Sequence, residues 1–178
     1  MRVIYISGSP RNNGNTDYLL QKVKDVADGE FLKLTNFKIE PCDSCWVCRS
    51  QEGCVIDDDM TNIIIPKLMD ADALVIGTPV YFNNVSSQLK TFIDRTWSIK
   101  GKLRNKIGGT IVVGRKYGHE NAITAINSFF LKHEMIVANR GVSGIAFEKE
   151  SITKDEEAVK ASERLGERIN EIYSLIYG

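Results

Sequence analysis

Outside one short stretch the chain has no cysteine: all four lie between Cys42 and Cys54. Histidine is nearly as scarce, with only His119 and His133. No apolar run approaches the length of a membrane span. The N-terminus passes from Met1 and Arg2 into Val3-Ile4-Tyr5-Ile6, too brief an apolar run for a signal peptide. A cytoplasmic setting without membrane contact is therefore expected. Basic surplus is also missing, since Lys plus Arg and Asp plus Glu number 23 each, which argues against a nucleic-acid partner. There is no internal repeat, low-complexity tract or Pro/Gly/Ser linker. What remains is ordinary globular material. At 178 residues, 43% hydrophobic and 26% charged, residues 1–178 are expected to form one domain.

The cysteines are spaced Cys42-x2-Cys45-x2-Cys48-x5-Cys54. Cysteines used as core filler would be scattered over strands and helices. Soft thiolates gathered on one short loop suit zinc or an iron–sulfur cluster. The C-x2-C-x2-C portion matches the ferredoxin-type run, whereas zinc sites more often use two knuckles with a longer spacer, so the spacing favours iron–sulfur. A disulfide framework is the other alternative, although residues three apart on a tight loop bridge only with strain. Cys42, Cys45, Cys48 and Cys54 are the candidate ligands in the first two cases.

Elsewhere the pattern alternates buried strand with amphipathic helix. Apolar, β-branched runs occur at Val3 to Ser7, Glu30 to Leu34, Ala73 to Gly77, Ile107 to Val113 and Gly141 to Phe147. Continuous rather than alternating runs signal a parallel sheet covered on both faces. Helical stripes follow from Leu19, Val23, Val26 and Ala27, from Leu89, Phe92, Ile93 and Trp97, and from Leu165, Ile169, Ile172 and Ile176. These stripes are read as core, Trp97 included. The fold class is α/β, a doubly wound five-stranded parallel sheet whose ligand lies beyond the carboxyl ends of the strands.

The loop after the first strand, Ser7 to Thr16, combines hydroxyls, asparagines, two glycines and Arg11 at a helix N-terminus, a composition suited to a phosphate. It is neither a Walker A loop nor G-x-G-x-x-G, and no acidic residue ends the second strand to hold an NAD ribose. A mononucleotide with a terminal phosphate, such as FMN, is the better candidate. The plainer alternative is a polar turn capped by Asn15 or Thr16. Thr78 to Ser86 and Gly114 to Glu120 follow two further strands, where a flavin ring would sit. Tyr81 can pack beside such a ring, Pro79 can shape a turn, and Ser86 or Ser87 can cap the next helix. His119 is a candidate hydrogen-bonding group for the flavin or its donor. His133, near a helix end, is expected to be solvated.

Gly8-Ser9-Pro10-Arg11 with Gly14-Asn15-Thr16, then Thr78-Pro79-Val80-Tyr81-Phe82 running into Ser87-Gln88-Leu89-Lys90 and Phe92-Ile93-Asp94-Arg95, together with the cysteine run, resemble the iron–sulfur flavoprotein family within the NADPH-dependent FMN reductase-like group. The resemblance covers the chain to about Phe147. It implies a flavodoxin-like sheet of order 2-1-3-4-5, noncovalent FMN, and a 4Fe-4S cluster held on an insertion loop, 36–60. It further implies a homodimer or homotetramer. By position, the phosphate would meet Ser9, Arg11, Asn15 and Thr16, and the ring would meet Pro79, Val80, Tyr81, Phe82 and Asn83. Gly114, Tyr117 and Gly118 would complete the ring site, although the family often carries an Asn-Gly-Gly-Gln-like stretch there. No catalytic nucleophile is needed, because flavin and cluster do the chemistry. The implied activity is electron transfer between a one-electron donor such as ferredoxin and a small-molecule or protein acceptor. Alternatives are an NAD(P)H-linked FMN or quinone reductase without a redox cluster, and a non-enzymatic redox or metal sensor.

Overall fold

The computed structural model describes residues 1–178. In chain order the elements are β1 Val3–Ser7, α1 Asn15–Lys24, β2 Gly29–Lys33, α2 Ile65–Asp70, β3 Ala73–Pro79, α3 Ser87–Arg95, β4 Ile107–Gly114, α4 His119–Lys132, β5 Ile136–Val137, β6 Val142–Ile145 and α5 Glu156–Tyr177. All strand pairs are parallel and the order is β2-β1-β3-β4-β5, the flavodoxin-like arrangement. The expected fifth strand differs from expectation because it is built from two pieces. Ile136–Val137 pairs with the start of β4 and Val142–Ile145 with its end, so six segments fill five positions. Gly141, at φ +123°, lies in the break between them.

Both faces of the sheet are covered, as its continuous apolar strands require. Along β1 the side chains alternate. Ile4 and Ile6 enter the core beneath α2, α3 and α4, where Leu68, Leu89, Phe92, Ile126 and Phe130 lie. Val3 and Tyr5 enter the opposite core with Leu19, Leu20 and Val23 of α1 and Leu165, Ile169 and Ile172 of α5. A π-helical turn, Met60–Ile64, leads into α2. Pro66, near the start of α2, has no N–H for the carbonyl four residues back, which favours the wider turn before it.

Three helix-end side chains differ from expectation. Trp97 follows α3 on a short 3₁₀ turn and is 41% exposed instead of buried, and Ile176, in the last turn of α5, is also exposed. His133 is buried instead of solvated. Its ring lies 4.8 Å from that of Phe129, and its Nε2 is 3.2 Å from Thr96 Oγ1. The reason is tertiary: the C-terminus of α4 docks on the turn after α3, and a helix-end position that is polar in sequence becomes interior.

Burial holds the His133 pKa down at about 4, against an ordinary 6.5. A histidine that stays neutral when folded but protonates when unfolded stabilises fully above pH 6.5, and that contribution is lost as pH falls toward 4. We expect His133→Gln to flatten the acid limb of the stability curve between pH 6.5 and 4 by roughly 2–3 kcal/mol. Urea unfolding at half-unit pH steps measures it, and parallel curves for both proteins would contradict it.

Candidate functional site

The first turn after β1 is held from beneath. Gly8 N–H donates to Gly77 O at 2.8 Å, and Ser7 Oγ accepts from Ser9 N–H while donating to Asp17 Oδ1 at 2.5 Å. Asp17 also accepts from Gly14 N–H and forms a mostly buried ion pair with Lys33 Nζ at 2.7 Å. Space is tight here: a Cβ on Gly8 would stand 2.8 Å from Leu89 Cβ. The loop thus arrives at α1 with its backbone fixed. Ser9, Arg11, Asn15 and Thr16 line one cleft with Pro79, Val80, Tyr81 and Gly114. Ser9 and Thr16 are buried, whereas Arg11 is exposed.

Four further residues complete the cleft: Arg115, from the Gly114 to Glu120 loop expected near the site, and Val113, Ala146 and Phe147, which were not expected there. Their sequence signal is position alone, since each stands at or just beyond the carboxyl end of β4 or β6. No acidic side chain lines the cleft, and two arginines do. With the N-terminal N–H groups of α1, this donor set suits a phosphate dianion. Asn15 contributes differently from expectation. Its side-chain amide donates to Glu148 O at 2.8 Å and accepts from Ile152 N–H, so it ties the β6–α5 connection to the cleft. The cleft encloses about 140 Å³, room for a phosphoryl group and part of a chain, and it opens beside Tyr81.

That lip is a small turn. Tyr81 and Asn84 exchange N–H···O bonds at 2.9 and 3.0 Å, with Phe82 and Asn83 between them at φ +47° and +62°. Phe82 therefore points wholly into solvent, and it does not line the cleft with Val80 and Tyr81. Asn83 and Tyr117 are likewise outside it and exposed. Gly118, at φ +85°, packs against Asn83, where a Cβ would stand 2.6 Å from the Asn83 Cα. His119 is mostly buried, its Nε2 3.0 Å from Gly144 O, so its ring holds β6 to α4 instead of facing the cleft. Ser86 caps α3 by accepting from Leu89 N–H at 3.2 Å and donates to Gly8 O at 2.6 Å, locking this loop to the first one.

The cysteine loop is an excursion with a stitched neck. Lys38 N–H donates to Asp59 Oδ2 and Asp59 N–H to Lys38 O, while Glu40 N–H donates to Asp58 Oδ2. Arg95, the last residue of α3, plugs this neck. Its side chain has no exposed surface, its Nη1 donates to Glu40 O at 2.7 Å and Asp58 Oδ2 at 2.5 Å, and its Nη2 donates to Asp58 Oδ1 at 3.0 Å and Thr61 Oγ1 at 3.1 Å. Burial by itself pushes the Asp58 carboxyl up, but Arg95 and the N–H groups of Glu40 and Thr61 outweigh it and hold the group below the usual carboxylate range. Neither Arg95 nor Asp58 was singled out as a site residue from sequence.

Beyond the neck the four thiols are free. Cys42 and Cys45 are exposed, and Cys48 and Cys54 half-buried. As the loop stands, no three metal-ligating side chains are gathered to hold an ion, so the four-cysteine set is contiguous in sequence but not convergent in space. Val47 N–H supports the Cys45 sulfur, although hydrogen bonding to Asp43 and the nearby Cys54 push that thiol up overall. Ser44 and Trp46, both at φ +60°, bend the backbone sharply between ligand positions. Trp46 meets Trp97 edge to face with ring centroids 6.2 Å apart.

The model of the NADPH-dependent FMN reductase family matches residues 1–150. An iron–sulfur flavoprotein of Methanocaldococcus jannaschii is 36% identical, with 99% of each chain covered. Another, of Methanosarcina thermophila, is also 36% identical over 77% of this chain and 76% of its own. The solved structure of the Trp repressor binding protein from Bacillus subtilis superposes with a TM-score of 0.72 at 25% identity, covering 92% of this chain and 97% of that one.

Ser86 joins two of the three loops, so its hydroxyl is the most economical place to perturb the cleft from within. We expect Ser86→Ala to cost about 1–3 kcal/mol, through the lost cap and the unpaired Gly8 carbonyl. Thermal and urea unfolding measure it. A loss below about 0.5 kcal/mol would mean that the lock is not made in solution.

Proposed function

The chain belongs to the NADPH-dependent FMN reductase family, within its iron–sulfur flavoproteins, and from that premise we propose that it is an FMN- and 4Fe-4S-containing electron-transfer protein. It would pass electrons between a one-electron donor such as ferredoxin and an acceptor. The observation that carries the reading is the pairing of a cleft lined by two arginines and no acid with a four-thiol loop. Both are footed on α3, the first through Ser86 and the second through Arg95. When bound, the flavin exchanges electrons in pairs or singly and the cluster passes them singly.

The chain's own residues supply binding and orientation. Ser9, Thr16, Arg11 and Arg115 would hold the FMN phosphate together with the first-turn N–H groups of α1, and Pro79, Val80, Tyr81 and Gly114 would border the ring. Phe82, Asn83, Tyr117 and Gly118 would act from outside the cleft, by shaping its lip. Cys42, Cys45, Cys48 and Cys54, on the insertion loop 36–60, would hold the cluster. Closing four dispersed thiols on one centre requires only the loop beyond the neck to rearrange, because the neck itself is fixed by Arg95 and Asp58. A homodimer or homotetramer would bring a cluster near a flavin.

Anaerobic purification should yield about four irons, four sulfides and one FMN per chain. Stoichiometric zinc without sulfide would overturn the cluster. Flavin without iron or sulfide would favour the second reading, an NAD(P)H-linked FMN or quinone reductase, which the family's reductase members and the dispersed thiols support.

The phosphate role has a separate readout. Arg11→Ala should weaken FMN about ten- to hundredfold while leaving riboflavin nearly unchanged, because only FMN carries the charged group. Fluorescence-quenching titrations of both flavins distinguish the two. Equal weakening would remove Arg11 from the phosphate site.

A further inference from the structure

The cleft has no acidic side chain on its surface, yet a carboxylate stands one hydrogen bond behind its wall. Asp17, in the first turn of α1, accepts from Gly14 N–H at 3.3 Å and from Ser7 Oγ at 2.5 Å, and Ser7 Oγ in turn accepts from the N–H of Ser9, which lines the cleft. A carboxylate in this position serves the loop but not an anion, because it occupies the positive end of the helix dipole and repels a dianion. Lys33 answers it. Lys33 pairs with Ser7 across the β1–β2 ladder, and its Nζ lies 2.7 Å from Asp17 Oδ2, with the two side chains only 9% and 12% exposed. Arg11 and Arg115 are exposed, so water and salt weaken their fields, whereas a buried charge is screened much less. Lys33 does not line the cleft. With Gly14 and Asp17 it borders a different cavity, so its influence on a ligand in the cleft passes through Asp17.

We propose that Lys33 is a positioning residue that sets the cleft's preference for a phosphate-bearing flavin: by cancelling the charge of Asp17, it lets that carboxylate fix the loop backbone without repelling the dianion in front of it. The inference rests on the phosphate-cleft reading above. Stability alone does not call for the pair, because well-packed apolar side chains of similar volume often replace a buried ion pair without loss. The proposal also has a signature that a purely structural role lacks. Lys33 without its carboxylate leaves the cleft more positive, and Asp17 without its ammonium leaves it more negative, so the two removals act on phosphate affinity with opposite signs. Damage to the shape of the loop would act with the same sign for both.

The test measures the ratio of the riboflavin and FMN dissociation constants on the full chain freed of flavin, by fluorescence-quenching titration. The wild type comes first: a ratio near one means that the cleft holds no phosphate, and the underlying reading itself fails. Where the wild type prefers FMN, Lys33→Met should lower the ratio about tenfold at unchanged riboflavin affinity, and Asp17→Asn should raise it about threefold. The double variant, Lys33→Met with Asp17→Asn, should return the ratio to within about twofold of the wild type's, as a double-mutant cycle on one coupled pair requires. A ratio unchanged in Lys33→Met, or a double variant no better than Lys33→Met, would reduce the pair to a footing for the loop and overturn the proposal in a protein that plainly binds the phosphate. Should the lone buried carboxylate keep Lys33→Met from folding, Asp17→Asn decides the matter: FMN bound more tightly at unchanged riboflavin affinity upholds the proposal, and FMN bound equally or more weakly overturns it.

Discussion

A guanidinium with no exposed surface is tolerated in a protein interior only if its charge is met at close range, and Asp58 meets that of Arg95 through two hydrogen bonds. Such a pair adds little net stability compared with apolar packing, but breaking it leaves a bare buried charge. Its value here is geometric. Asp58 also collects the N–H groups of Glu40 and Thr61, so one carboxylate fixes where the cysteine loop leaves the domain, where it returns, and how the return enters the π-helical turn before α2. A long surface loop would otherwise sample many paths.

The phosphate-type loop repeats the device on the other face of the sheet. Lys33 and Asp17 form a second mostly buried ion pair, and Asp17 again gathers neighbours, here Ser7 Oγ and Gly14 N–H. Each functional loop is therefore footed on a carboxylate that bonds loop backbone while its charge is answered from another element. α3 spans the space between them. Its nine residues make a rod roughly 13 Å long, tied at its N-cap to Gly8 and at its last residue to the cysteine neck. The two loops are thus joined through a rigid element instead of through loose chain.

Much of this was legible in sequence because the signals were local. Val3–Ser7 and Ile107–Gly114 are mostly apolar and run as strands buried throughout, and the polar, glycine-containing stretch from Ser7 to Thr16 marks the loop between the first strand and its helix. The elements that escaped are those defined by distant partners. Ile136–Val137 is too short to show a period, and Arg95 sits where an amphipathic helix normally shows its solvent face. Asp58 lies within Asp57-Asp58-Asp59, a run that reads as solvated charge, yet only the middle member faces the core. His133 lies between Lys132 and Glu134, and only the packing of two helix ends buries it. The Asn15 amide reaches a carbonyl 133 positions away, which no local pattern can announce.

The divided fifth strand has a consequence for how the molecule behaves in a crowd. An uninterrupted outer strand displays a row of backbone donors and acceptors on which a neighbouring chain can zip, and long rows of this kind seed aggregates. Here that border of the sheet is two residues, a kinked gap at Gly141, and then four residues. An incoming strand finds no ladder long enough to hold a register across the break. A parallel sheet with otherwise very apolar strands thus ends, on this side, on a frayed hem that offers an incoming chain only short stretches to pair with.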